Sequence, residues 1–160
     1  MAQAISSDSR NTRGTPCPAS KTCIARSSSI TIVRRNRGEL PPPAHKAEGH
    51  NPLCGDEITV FVQVDGDLVS DVKVSGQGCS ISQSSASMMS QAIKGKSLDE
   101  VRALVHRFKV MMSIEEDGDD VDAPAVKLGD LEALQGVVKF PVRIKCATLA
   151  WNTLVEALEA

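Results

Sequence analysis

Aromatic side chains are almost absent from this chain, which has no Tyr, one Trp and three Phe in 160 residues. Proteins that grip single-stranded nucleic acid stack bases on such rings, so that mode of recognition is excluded. Nor is there a run of about 18 or more apolar residues, the length that a membrane-crossing helix needs. The N-terminus lacks the basic patch followed by an apolar stretch that an export signal requires, so a cytoplasmic location without a membrane partner is expected. Positive charge is scarce where order is expected. Residues 51–160 carry ten Lys/Arg against seventeen Asp/Glu, whereas residues 1–50 carry eight against three. Phosphate binding depends on basic groups that displace counterions, so the acidic part is unsuited to nucleic acid.

What is present is an apolar fraction of 41%, enough for one packed core made of Val, Ile, Leu, Met and Ala. Five cysteines are an odd number. In a chain without an export signal they read as metal ligands or reactive thiols rather than disulfides.

Residues 1–34 are rich in Ser, Thr and Arg and show no apolar periodicity, which predicts a disordered or atypical tail before a domain at 35–160. Pro41-Pro42-Pro43 predicts a stiff extended segment leading to Asn51-Pro52. From Glu57 to Val64, Ile58, Val60, Val62 and Val64 alternate with Thr59, Phe61 and Gln63, which predicts a strand buried on one face. Asp65-Gly66-Asp67 turns it into a second strand, Leu68 to Ser75, with Leu68, Val72 and Val74 on one face and Val69, Asp71, Lys73 and Ser75 on the other.

Three longer helices and one short one are expected after the hairpin. The first runs from Ser82 to Lys94 with Met88, Met89, Ala92 and Ile93 at helical spacing. The second opens with the capping-box pattern Ser97-Leu98-Asp99-Glu100 and carries a stripe of Leu98, Val101, Leu104, Val105 and Phe108. The third runs from Ala147 to Leu158, after a short helix near Gly129–Leu134. The segment Glu115 to Asp120 lacks the closing glutamate register of a calcium loop and reads as a solvated acidic loop. The layout is α+β: a small antiparallel sheet, a hairpin plus a third strand, packed with helices.

Cys54, Cys79 and Cys146 each stand where an element is expected to begin, and the N-terminus of a helix favours a thiolate. Thiolates are soft ligands, and zinc takes four tetrahedral donors from thiolate, imidazole and carboxylate. Asp56, two residues after Cys54, points to the same side on an extended segment and supplies a fourth donor. These donors are spread over more than ninety residues without a CxxC pair, so spacing alone favours separate buried cysteines over a metal site. Cys17 and Cys23 lack companion ligands and make a poor metal site.

Three ordered motifs change that balance. Asn51-Pro52-Leu53-Cys54-Gly55-Asp56, Gly76-Gln77-Gly78-Cys79-Ser80-Ile81-Ser82 and Arg143-Ile144-Lys145-Cys146-Ala147-Thr148-Leu149-Ala150-Trp151 resemble the SufU branch of the NifU/IscU-like iron-sulfur assembly proteins. Lys145 stands where IscU-type members have His, and the long segment between Met112 and Phe140 is typical of SufU-type members. Arg35-Asn36-Arg37-Gly38 also matches, but the amphipathic helix with an aromatic pair that usually precedes it is missing.

The resemblance implies a compact IscU/NifU N-terminal-like fold with a three-stranded sheet, holding Zn2+ through Cys54, Asp56, Cys79 and Cys146. It implies a zinc-dependent sulfurtransferase role, in which Cys54 accepts persulfide sulfur from a SufS-type cysteine desulfurase for delivery to the SUF scaffold complex. The alternative is a scaffold that carries a labile 2Fe-2S cluster on the same ligands. Arg143, three residues before Cys146, is a candidate stabiliser of thiolate charge, with an exposed strand-end arginine as the plain alternative. His45, His50 and His106 read as ordinary surface residues.

Overall fold

The computed structural model describes residues 35–114 and 126–160. The tail expected over residues 1–34 and the acidic loop at Glu115–Asp120 lie outside the described residues. Three strands, β1 (His45–Asn51), β2 (Asp56–Asp65) and β3 (Leu68–Gln77), form one antiparallel sheet in the order β1-β2-β3. Three α-helices follow, α1 (Ser80–Ile93), α2 (Leu98–Met111) and α3 (Pro141–Glu159), with a 3-10 helix over Gly129–Lys139 between the last two.

The hairpin follows its apolar alternation, with one exception in β3. Ile58, Val60 and Val62 are buried, as are Val72 and Val74 opposite them, but Val64 is half-buried. The expected alternation placed Val69 opposite Val72, yet Val69 is buried and Leu68 is 47% exposed. The ladder shifts register here: Gln63 faces Asp71 and Val64 faces Val69, leaving Ser70 as an extra residue whose Oγ donates to the Gln63 carbonyl at 3.0 Å. One inserted residue reverses the side-chain phase beyond it, which is how a bulge defeats a period-two count. Phe61, expected on the solvated face, is also buried. Its register partners are Lys46 and Lys73, and the Lys46 ammonium lies 5.9 Å from its ring centroid.

Strand β1 has no apolar alternation to announce it, because its more sheltered positions are Ala47, Gly49 and Asn51. Pro41-Pro42-Pro43 makes a turn rather than a straight spacer, with Ala44 N–H donating to the Pro41 carbonyl at 3.3 Å, and this turn sends the chain into β1. Arg35-Asn36-Arg37-Gly38 runs along the outer side of β3. Gly38 N–H donates to the Val74 carbonyl and Val74 N–H to the Asn36 carbonyl, so main-chain groups at that point of the edge are satisfied.

Helices α1 and α3 pack on the sheet, and their mutual contact is polar at its centre. Ser85 Oγ donates to the Ala147 carbonyl and accepts from Trp151 Nε1 at 3.1 Å. Trp151 is fully buried and stacks on Phe108 of α2, with centroids 4.2 Å apart and planes 14° from parallel. The two rings join three helices into one core. The capping box of α2 is complete: Ser97 Oγ accepts from Glu100 N–H, and Glu100 Oε2 accepts from Ser97 N–H at 3.0 Å. Among the described residues no helix is long and apolar enough to cross a membrane.

Candidate metal centre

Cys54, Cys79 and Cys146 come from three separate elements and meet at one end of the sheet. Cys54 lies in a turn between β1 and β2 rather than on the extended start of a strand. Its N–H and that of Gly55 both donate to the Asn51 carbonyl, and Gly55 has a φ of +68°, a conformation that glycine adopts without steric cost. The turn leaves Cys54 exposed and aims it back over Asp56, the first residue of β2, which is 1% exposed.

Cys79 is the N-cap of α1, as its position before a helix suggested, and its Sγ accepts from Ser82 N–H at 3.4 Å. The Asp56 carboxylate clamps the same residue from the other side. Its Oδ1 accepts from Cys79 N–H at 2.9 Å, and its Oδ2 lies 3.4 Å from Cys79 Sγ. This approach is close because Gly78 has no side chain: a Cβ there would lie 3.0 Å from the Asp56 Cγ and Oδ1.

Cys146 is not at a helix start. Helix α3 begins at Pro141, whose fixed φ and missing N–H suit the first turn, and so Cys146 sits in the second turn, buried. The expectation of a low thiol pKa therefore fails here. Burial, followed by the neighbouring Cys54 and Cys79 groups, pushes the Cys146 thiol far above its usual value of 9.0. Its Sγ lies 3.1 Å from that of Cys54.

The ligand atoms of Cys54, Asp56 and Cys146 all lie within 4.8 Å of one another, a group able to hold one metal ion. Cys79 is outside that triplet but adjoins it, through the Asp56 carboxylate and through its influence on Cys146. Asp56 makes no ion pair with a Lys, Arg or His among the described residues. A buried carboxylate among three crowded thiols is costly without a compensating cation, so the donors present fit a divalent metal, and thiolates with one carboxylate suit zinc.

The remaining candidates stay outside this cluster. Arg143 is exposed on the first turn of α3, not at a strand end, and its guanidinium lies over the Phe140 ring at 4.5 Å. It stands one turn before Cys146 on the same helix. His45 and His50 are exposed on β1, and His106 is half-buried on α2. Asn51, unnoticed as a functional residue, is 6% exposed and braces the Cys54 turn: its Oδ1 accepts from Leu53 N–H at 3.1 Å and its Nδ2 lies 3.8 Å from Cys146 Sγ. An Asn-Pro pair two residues before a cysteine was the signal for such a side-chain-closed turn.

Residues 33–159 match the model of the NifU-like N-terminal domain. The chain belongs to that family. Within it, the chain is 50% identical over 120 residues to the zinc-dependent sulfurtransferase SufU of Bacillus subtilis, covering 75% of this chain and 78% of that protein. It is 37% identical over 126 residues to the iron-sulfur cluster assembly scaffold protein IscU of Thermotoga maritima, covering 79% and 84%. A crystal structure from Fervidobacterium islandicum, described as an iron-sulfur cluster assembly scaffold protein for the SUF system, superposes with a TM-score of 0.70 at 35% identity, over 82% of this chain and 92% of that one. For this NifU-like domain, both sequence and fold therefore agree with the three-stranded architecture.

Proposed function

We propose that this protein is a zinc-dependent sulfur acceptor of SUF-type iron-sulfur cluster assembly, charged by a SufS-type cysteine desulfurase and discharged to the SUF scaffold complex. The observation that carries the reading is the convergence of Cys54, the buried Asp56 and Cys146, with Cys79 held against the same carboxylate and Cys54 the exposed thiol of the three. The function named for the half-identical Bacillus relative supports it. Cys54, Asp56, Cys79 and Cys146 would hold the zinc. When bound, the metal supplies thiolate character at neutral pH.

Cys54 is the residue placed to react, because its turn faces solvent while Cys146 is buried behind it and Cys79 is tied to Asp56. In the transfer, Cys54 thiolate attacks the outer sulfur of the donor persulfide. The donor's S–S bond breaks as the new S–S bond forms, the proton of the persulfide stays with the transferred sulfur, and the donor cysteine leaves as thiolate. No net oxidation occurs. Arg143, one turn before Cys146 on the same helix, is the candidate cation for stabilising thiolate charge.

The test is incubation of the zinc-loaded protein with the desulfurase and cysteine, followed by mass spectrometry. A single added sulfur atom on Cys54 is expected, with none on a Cys54→Ala variant. A Cys54→Ala protein that still accelerates the desulfurase and acquires sulfur would overturn the reading. A second reading, a scaffold for a labile 2Fe-2S cluster, is favoured by relatives named as scaffolds and by the same donor set. Visible absorption after iron and sulfide reconstitution, with transfer to an apo-protein, distinguishes it.

A further inference from the structure

Ser82 Oγ is the one buried side-chain oxygen or nitrogen among the described residues with no hydrogen-bond partner, and the residue is 0% exposed. A hydroxyl shut away from water without a partner costs roughly 1–3 kcal/mol. The other buried serines of α1 show how unusual it is: Ser85 and Ser90 donate to main-chain carbonyls, and Ser87 Oγ accepts from Arg35 N–H at 2.9 Å. The position of Ser82 points to what its hydroxyl is for. It is the third residue of α1, counted from the N-cap Cys79, and its own N–H already donates to Cys79 Sγ at 3.4 Å.

The same chain displays the corresponding geometry one helix later. In α2 the N-cap Ser97 Oγ accepts from the N–H of Glu100, and the Glu100 side chain turns back to meet both Ser97 N–H and Ser97 Oγ, the latter at 3.3 Å. Both helices share one element of this arrangement, the N-cap side chain accepting from the N–H three residues on, so the Ser82 side chain starts beside the cap. A serine in the second role can offer an O–H where glutamate offers only acceptors. In the structure Cys79 Sγ lies 3.4 Å from Asp56 Oδ2 and accepts from Ser82 N–H, while the Ser82 hydroxyl makes no bond to it. A sulfur that ligates a metal carries negative charge, and in this half-buried place a turn of the Ser82 hydroxyl onto it becomes favourable.

We infer that Ser82 is a positioning residue for the metal centre, whose hydroxyl donates to the Cys79 thiolate in the loaded protein. The inference rests on the zinc reading above. It gives the orphan hydroxyl a partner that exists only when the site is charged, so removing it should weaken metal binding without weakening the fold. Outer hydrogen bonds to metal ligands are typically worth roughly ten- to a hundredfold in affinity.

The experiment compares wild type with Ser82→Ala, and with Ser82→Thr, which restores a hydroxyl. Three measurements are needed: zinc retention against a competing chelator, the sulfur-to-cobalt charge-transfer band of the cobalt-substituted protein, and the denaturant midpoint of the metal-free protein. Ser82→Ala should retain zinc about ten- to a hundredfold less tightly and shift the cobalt band, while its metal-free midpoint stays equal or rises. Ser82→Thr should recover tight retention. Zinc retention by Ser82→Ala within twofold of wild type overturns the inference. So does a loss of retention matched by an equal loss of metal-free stability, which marks a packing role. Failure of wild type itself to retain zinc would instead sink the zinc reading, and the inference with it.

Discussion

Gly78→Ala tests whether the metal centre depends on the close approach of β2 to the turn before α1. The added methyl would sit 3.0 Å from the Cγ and Oδ1 of Asp56 and 3.1 Å from its Cβ, against an ordinary contact of 3.4–4 Å. Gly78 does not have a positive φ, so backbone strain plays no part and the clash is purely one of space. Asp56 is 1% exposed and cannot swing into solvent; it must move by a few tenths of an ångström away from Cys79. That shift stretches the 2.9 Å bond from Cys79 N–H to Oδ1 and displaces one metal donor. A hydrogen bond to a charged group is worth about 1.5–3 kcal/mol, and partial loss of it predicts zinc retention weaker by roughly five- to thirtyfold. The assay is chelator competition, with Gly136→Ala as the control, since a methyl there meets nothing within 4 Å. Zinc retention unchanged in Gly78→Ala, or weakened equally in Gly136→Ala, would refute the reasoning.

Two further outcomes follow from the same structure. Ser97→Ala removes the side-chain half of the α2 capping box and should lower the unfolding free energy by about 1 kcal/mol, read by urea denaturation, with zinc retention unaffected. In the metal-free protein, stability should fall as pH rises above about 9: below that value the folded and unfolded chains both keep the Cys146 proton, and above it only the unfolded chain releases it, because burial raises the folded pKa. Denaturation of the metal-free protein and of Cys146→Ala across that range checks this, since the variant should lose the Cys146 share of the decline; parallel curves would contradict it.

How far the sequence carried depended on whether the deciding physics was local. The capping box at Ser97 and Glu100 was readable because its partners lie three residues apart. Cys79 as a helix opener was readable for the same reason, as Gly76-Gln77-Gly78 ends the strand and helical spacing starts soon after. The alternation of Ile58, Val60 and Val62 named the inner face of β2 correctly. The same count failed in β3, because the extra residue at Ser70 is defined only by the partner strand that it fails to pair with. It failed for β1 as well: the sheltered positions Ala47, Gly49 and Asn51 carry almost no hydrophobic signal, and pairing with β2 makes them a strand.

The candidate site divides along the same line. The sequence by itself determined the donor types, the motifs around Cys54, Cys79 and Cys146, and the family they resemble. Only the tertiary structure decided that two of those sulfurs lie 3.1 Å apart although ninety-two residues separate them. It also decided that Cys146 is buried in the second turn of α3 rather than poised at its start, and that Ser82 brings an unsatisfied hydroxyl to the end of α1 that Cys79 caps. Thiol chemistry is written into the residue. Which thiol is exposed, which is crowded and which carboxylate stands among them are set by burial and by strand and helix ends that meet only when the chain has folded.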